Sequence, residues 1–466
     1  GDNMESCVQS YLTGRGYSVN TEAQTVIKIC DDWYSDRYLD FHKRTTVQGT
    51  SYKLRKLGFA KRCCSDDANL CEVIEISAGN EATTKAVNAV LNGSRFNTQY
   101  RRQLEKTAAN GTAACYVRLD NAAIYSDGSV RGGDIKLNYV DADSFIPLTL
   151  DNDVVTEAAF SSTTLVKGKK KTTLVMFVKN DRGLYTSETR FFDEYGTELK
   201  GEARMLTLGD VKPFGVMRTA AVNNLDNMDG YGLPKIWIAI PEFEVLELIY
   251  NVLAGDMDKA DKLLLINEAL CKFDGSGNPI TPNEQIKKIF VMLGEKLPEA
   301  DSLISEYNPK LRIDEVTKAF ELALSLLSMM FGYGTKKYTF ENGQITTATE
   351  YVGERQDQMQ ELNRQRQEAK EYITDIVRAV LWFENQFHGE HYDINTEVTI
   401  DFDDSYVTDK NTELERKRND ALSFDIPQLT VWYLMDAYAL SEEEAAAMIE
   451  AREEAGSEDD DTQDME

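Results

Sequence analysis

Three groups of side chains in this 466-residue chain have the type and spacing to do chemistry. Lys336 and Lys337 lie in the connection Gly332-Tyr333-Gly334-Thr335-Lys336-Lys337-Tyr338-Thr339-Phe340-Glu341-Asn342-Gly343-Gln344. A solvated turn would use such lysines for solubility; a loop facing DNA would use them on phosphates. Lys167, Lys169, Lys170 and Lys171 surround Gly168 in the densest basic run. They suit either a solvated hairpin tip or a nucleic-acid contact on an outer rim. They are not a phosphate-binding P-loop, because Thr163 stands where that motif needs glycine. Asp401, Asp403 and Asp404 cluster at a strand end. Such carboxylates could hold a divalent ion for a nuclease, or could simply mark the exit from a strand into a turn.

Other chemistry is poorly supplied. The histidines are His42, His388 and His391, and none sits in a nucleophile motif. His388-Gly389-Glu390-His391 is spaced i, i+3 across a glycine, unlike the helical H-E-x-x-H pattern. There is no glycine-rich dinucleotide fingerprint. Seven irregularly spaced cysteines with no C-x-x-C pair read as reduced thiols in a cytoplasm, not as a disulfide framework or a zinc site. The expectation is a protein with no catalytic residues, no metal and no cofactor.

The elements that must position these groups can be read from periodicity. To about Asn110 the chain reads mostly helical, through Ile27, Ile29, Trp33, Tyr34 and Tyr38, then Leu54, Leu57, Phe59 and Ala60, then Ala86, Val87, Val90 and Leu91, ended by Gly93. From Thr112 the period becomes two, in Cys115 to Leu119, Ile135 to Val140 and Thr173 to Val178. An antiparallel meander of about five to seven strands is expected, ending near Gly201. The fold class is α+β.

Pro234 or Pro241 is placed to open a helix carrying Leu246, Ile249, Leu253, Met257, Ala260 and Leu264. A small excursion over 263–308 contains a strand-like run, Ile286, Lys287, Lys288, Ile289 and Phe290 to Met292. The next helix runs from Ile313 to Phe331, with Val316, Phe320, Ala323, Leu327 and Met330 on the face of Ile313. Two glycines, Gly332 and Gly334, stop it. An antiparallel helix pair with a small domain at its far end is the simplest geometry. A polar helix opens at Thr347-Ala348-Thr349-Glu350, and within it Glu361 can pair with Arg364. A helix polar all round bridges domains or leans on neighbouring subunits. Apolar spacing returns from Tyr372 to Leu381, followed by a strand, Val398 to Phe402. The C-terminal part is helical, with Asp409 as one cap and Ser441-Glu442-Glu443-Glu444 as a capping box.

Acidic residues outnumber basic ones 79 to 51, giving a net charge of −28. This argues against a tight nucleic-acid binder. It does not exclude a protein that surrounds DNA without gripping it. Gly1 to Gln9 is polar, without a secretory core segment, and no run of 18 apolar residues could span a membrane.

The order of motifs resembles the phage portal protein family, specifically portals of tailed double-stranded-DNA phages of Gram-positive hosts. The resemblance rests on Phe331-Gly332-Tyr333-Gly334, Phe340, Asn342-Gly343 and Thr347-Ala348-Thr349-Glu350. It also rests on Asp401-Phe402-Asp403-Asp404-Ser405 with Asp409, on Trp33-Tyr34 with Arg55 to Ala60, and on Asn138 to Pro147. It spans about residues 25–455. Leu233-Pro234 stands where the family usually has Ser, and Tyr351 where it has Val.

The resemblance implies a non-enzymatic subunit of a ring of twelve at one capsid vertex, a channel for DNA packaging and ejection. Its implied parts are a wing (1–232), a first stem helix (233–262), a clip (263–308) and a second stem helix (309–331). A tunnel loop (332–346), a spine helix with a wing return strand (347–404), a crown (405–455) and an acidic disordered tail (456–466) complete it. Lys336, Lys337, Thr335 and Tyr338 would contact DNA weakly and without sequence preference. Ile286, Lys287, Lys288, Ile289 and Phe290 would serve neighbouring clips, the terminase large subunit and then the head–tail adaptor. Major capsid and scaffold proteins are further implied partners, and no membrane is. The protein would reside in the virion, passing through the host cytoplasm during assembly. The competing readings are another structural phage protein, such as a scaffold or adaptor, and the metal-dependent nuclease on Asp401, Asp403 and Asp404.

Overall fold

The computed structural model describes residues 6–258, 310–335, 337–338, 348–403, 417–421, 423, 426–438 and 440–449, with isolated stretches between 260 and 307. The fold is mixed α+β.

Helix α1 (Ser6–Gly14) buries Val8 and Leu12. Helix α2 (Thr21–Tyr34) starts where the Asn20 side chain accepts from the N–H groups of Glu22 and Ala23. It buries Ala23, Ile27, Cys30 and Trp33 on one face. Tyr38 lies beyond its end and is half exposed. A hairpin follows, β1 (Lys43–Thr45) and β2 (Ser51–Lys53). The helical spacing of Leu54 and Leu57 is therefore coincidental. Leu54 N–H donates to His42 C=O, and the helix begins only after Gly58, whose φ of +68° breaks any run.

Helix α3 (Phe59–Ala68), strand β3 (Val73–Ala78), helix α4 (Glu81–Gly93) and helix α5 (Phe96–Asn110) complete the helical part. Gly111 closes α5 and touches Gly232 backbone to backbone. A Cβ on either glycine would lie 2.2 Å from the other's carbonyl oxygen.

The strand region forms two main sheets where the sequence suggests one meander. Strands β4 (Thr112–Asp120), β5 (Ala123–Ile124), β6 (Val130–Arg131) and β7 (Asp134–Asp141) come first. Then β8 (Phe145–Asp151), β9 (Val154–Val166), β10 (Lys169–Lys179), β11 (Tyr185–Phe192) and β12 (Arg204–Thr207) form an antiparallel meander in the order β12-β11-β10-β9-β8. It ends past Gly201. Strand β13 (Phe214–Arg218) returns to pair with β4, giving a separate sheet β13-β4-β7. Local alternation marks each strand but not the long-range return of β13.

Helix α6 (Lys235–Asp258) opens directly after Pro234. Pro241 lies inside it, so Pro241 is not the opener. Strands β14 (Leu263–Asn267), β15 (Lys272–Phe273), β16 (Pro279–Ile280), β17 (Ile289–Met292) and β18 (Ile304–Tyr307) follow. Their larger sheet has the order β17-β14-β18, with β14 and β17 parallel. Helix α7 (Ile313–Met330) packs against α6. Of the expected face, Val316, Phe320, Ala323 and Leu327 are buried; Ile313 and Met330, at its ends, are exposed. Gly332 at φ +82° and Gly334 at +72° turn the chain away, as expected.

Helix α8 (Ala348–Phe383) is 36 residues long and opens within the Thr-Ala-Thr-Glu sequence. Its last third runs through the centre of the core, with Tyr372, Ile373, Ile376, Val377, Val380 and Leu381 fully buried. Strand β19 (Val398–Phe402) pairs with β3, tying chain end to chain start. Helix α9 (Pro427–Tyr438) and a helix over 442–449 follow. The capping box forms: Glu444 N–H donates to Ser441 Oγ at 3.3 Å, and Ser441 N–H to Glu444 Oε2 at 3.0 Å. The Asp409 cap and the 456–466 tail lie outside the described residues.

Candidate functional site

The loop after α7 is rooted in a buried charge cluster. Lys235, at the first position of α6, is buried and reaches Asp67 Oδ1 at 2.7 Å and Glu361 Oε1 at 2.9 Å. Tyr333 Oη donates to the same Asp67 Oδ1 at 2.6 Å. Four segments thus meet at one ammonium: α3, α6, α8 and the turn that ends α7. Beside them Tyr338 Oη donates to Asp66 Oδ2 at 3.2 Å, and Arg62 Nε bonds the same oxygen at 3.1 Å.

Burial alone would favour the neutral amine at Lys235. The charges and hydrogen bonds of Asp67 and Glu361 outweigh it, so its pKa rises and the ammonium is retained. Burial, then the Asp67 charge, pushes the Tyr333 hydroxyl well above its ordinary range. Burial likewise pushes the Cys63 thiol up to about 12, leaving it unreactive. The cluster is built to hold shape, not to exchange protons.

The loop residues named from sequence fare differently. Thr335 is exposed. Lys337 is half-buried, its ammonium 5.7 Å from the centre of the Tyr333 ring. Lys336 lies outside the described residues. Tyr338 corrects the sequence reading: its hydroxyl is committed to Asp66, its N–H to Ser328 Oγ at 3.0 Å, and its ring packs on Phe59 and Tyr333. It anchors the loop's far side to α3.

The polar face of α8 also has an internal role. Glu361 turns to Lys235, where the sequence suggested Arg364. Gln365 bonds the Arg218 carbonyl at 3.1 Å and the Ala220 N–H at 3.0 Å, satisfying backbone beyond the end of β13. Arg366 reaches the carbonyls of Leu70 and Asp403 at 3.3 and 3.1 Å.

The remaining candidates separate. Lys169 is bonded to Glu194 at 2.9 Å and Lys171 to Glu202, so the β9–β10 tip is not a free cationic rim. Lys167 sits in its turn at φ +53°, and Lys170 is exposed on β10 opposite Leu165. Ile289 and Phe290 lie in β17, paired to β14, while Ile286, Lys287 and Lys288 lie outside the described residues. Asp401 is exposed on β19 opposite Glu75; Asp403 uses its backbone on Glu72 and Arg366; Asp404 lies outside the described residues. Among the described residues no three His, Cys, Asp or Glu side chains are grouped to hold a metal ion. No described helix is long and apolar enough to cross a membrane.

Sequence reasoning missed Asp66, Asp67 and Lys235. The available signal was an Asp pair on the same short helix as two core cysteines, and a lysine directly after Pro234.

No protein-family model matches the chain, and no curated protein matches it. Among solved structures, a chain of the "Neck of native GTA particle computed with C12 symmetry" aligns over 77% of this chain and 84% of that one, at 10% identity and a TM-score of 0.36. A likeness this remote carries no functional argument.

Proposed function

We propose that this chain is a portal subunit, a structural and non-enzymatic protein that assembles into a homo-oligomeric ring around a DNA channel. The observation that carries the reading is an unpartnered apolar face on the α6–α7 pair. Val245, Leu248 and Val252 are exposed on α6, at helical spacing. Leu322, Leu326, Met329 and Met330 are exposed on α7, likewise on one side. Scattered apolar residues on a surface need no explanation, but an exposed apolar stripe on each of two packed helices supports an interface.

The order of parts supports the same reading. A helix-and-sheet body precedes a helix pair with a small sheet between its members, and a tightly rooted loop leads into a 36-residue helix. In this reading α6 and α7 are the stem, β14 to β18 belong to the clip, and the loop rooted at Lys235 borders the channel. β17 is an edge strand of its sheet among the described residues, with one side available to a neighbouring clip. The ring would work in the virion, with terminase large subunit, adaptor, capsid and scaffold proteins as partners.

Mass photometry of the purified chain tests this. The expected particle is a ring many times the 52.6 kDa protomer, and Leu322→Asp with Leu326→Asp should reduce it to protomers. Replacing Lys336 and Lys337 by Glu should leave rings intact and impair DNA packaging or retention. Normal packaging in that variant removes the DNA-contact role while leaving the ring standing.

A further inference from the structure

A cationic finger projects from this acidic chain. Residues 41–65 contain seven Lys or Arg and no Asp or Glu, against a net charge of −28 overall. At its centre β1 and β2 form a two-stranded hairpin joined to no larger sheet among the described residues. Such a hairpin is marginal alone in water. Lys43 stands directly opposite Lys53, which costs further stability. Among the described residues no carboxylate pairs with Arg44, Lys53 or Arg55, although Lys43 and Lys56 have Asp40 and Asp36. The tip residue Val47 is fully exposed, and Tyr52 is half exposed.

The root, by contrast, is bolted to α6. His42 Nδ1 accepts from Leu39 N–H at 3.0 Å, so its Nε2 carries the proton and donates to buried Glu247 at 2.6 Å. Glu247 also accepts from Leu57 N–H at 3.2 Å. Asn251 bonds both the N–H and the C=O of Arg55, each at 2.8 Å. A solvated hairpin has no use for so rigid a mounting.

The complementary surface is on the same molecule but out of the finger's reach, because the root fixes it to its own α6. After Lys235, α6 carries no Lys or Arg; of its carboxylates Glu247 is taken by the finger's own root and Asp256 by Arg312, which leaves Glu242, Glu244 and Asp258. Helix α7 opens with exposed Asp314 and Glu315 and then presents the apolar stripe from Leu322. We infer that the finger of one copy docks on the α6–α7 face of a second copy, Val47 and Tyr52 against the apolar stripe and the cations against the carboxylates. This contact uses two different surfaces, so it is head-to-tail and closes only as a ring. Nucleic acid fits less well: the tip from Thr46 to Ser51 carries no Lys or Arg, and the chain as a whole repels phosphate.

The inference rests on the ring reading, and one experiment separates the two. A photo-crosslinking residue placed at Val47 in the full chain is irradiated in assembled particles and mapped by mass spectrometry. Cross-links to residues 235–258 or 313–330 of a second copy are expected. Lys43→Glu with Lys53→Glu should raise the protomer concentration at half-assembly at least tenfold, and Asp314→Lys with Glu315→Lys should restore it. Intact rings whose Val47 cross-links lie elsewhere, or only on nucleic acid, overturn the docking alone. A wild-type chain that stays a protomer overturns the ring and the docking together.

Discussion

Lys235 is the residue on which most depends. It pairs with the buried carboxylate of Asp67 and the partly buried one of Glu361, from different helices, and Tyr333 shares the first. Lys235→Met leaves buried Asp67 without its cation and Glu361 unpaired beside it, which should cost about 3–5 kcal/mol. Tyr333→Phe removes one hydrogen bond to a charged acceptor and should cost about 1.5–3 kcal/mol. Urea unfolding of both variants measures this; equal, negligible shifts would show that the cluster contributes nothing. His388 gives a second test at this scale. Burial pulls its pKa down, but the Gly133 carbonyl and Glu384 hold it above the ordinary 6.5. Below 6.5 the folded and unfolded chains are both protonated, and the full stabilisation from this group is present. As pH rises through the raised folded value, that stabilisation is lost. The melting-temperature difference between wild type and His388→Gln should therefore be constant at acid pH and shrink above pH 6.5.

At the scale of elements, the Gly111–Gly232 contact decides how α5 meets the loop before α6. Gly232→Ala would put a methyl 2.2 Å from a carbonyl oxygen, and the forced shift should cost roughly 1–3 kcal/mol, read as a lowered melting temperature. Much at this scale was legible in the sequence. The α7 stripe, the two stopping glycines, the opening of α8 and the Ser441–Glu444 capping box all follow from local spacing and cap chemistry. What was not legible depended on long-range partners. The β13 return and the β3–β19 pairing are set by contacts between strands far apart in the chain, Phe214 with Tyr116 and Val398 with Ala78, while the start of α3 is set by a single left-handed glycine, Gly58. The same limit applies to the site. The loop was visible as two glycines and a lysine pair, but its anchors, Asp66, Asp67 and Lys235, are brought together only by the fold. The polar stretch of α8 shows the difference best. Composition suggested a helix that bridges domains or leans on neighbouring subunits; Glu361, Gln365 and Arg366 bridge within the chain, to Lys235, Arg218 and Leu70.

For the whole molecule, charge and exposed apolar surface act together. A net charge of −28 opposes adhesion to the phosphates of DNA, and the proposed ring of twelve copies would carry −336. The apolar stripes on α6 and α7 oppose that repulsion between copies by removing hydrocarbon from water. Raising salt should therefore strengthen assembly through the stem stripes by screening like charge, while weakening the part carried by the Lys43–Lys53 finger. The central claim is that copies of this chain close around a channel. Negative-stain class averages of the purified protein test it most directly. The account predicts closed rings with a central hole wide enough for double-stranded DNA; monodisperse protomers, or open filaments without a channel, would contradict it.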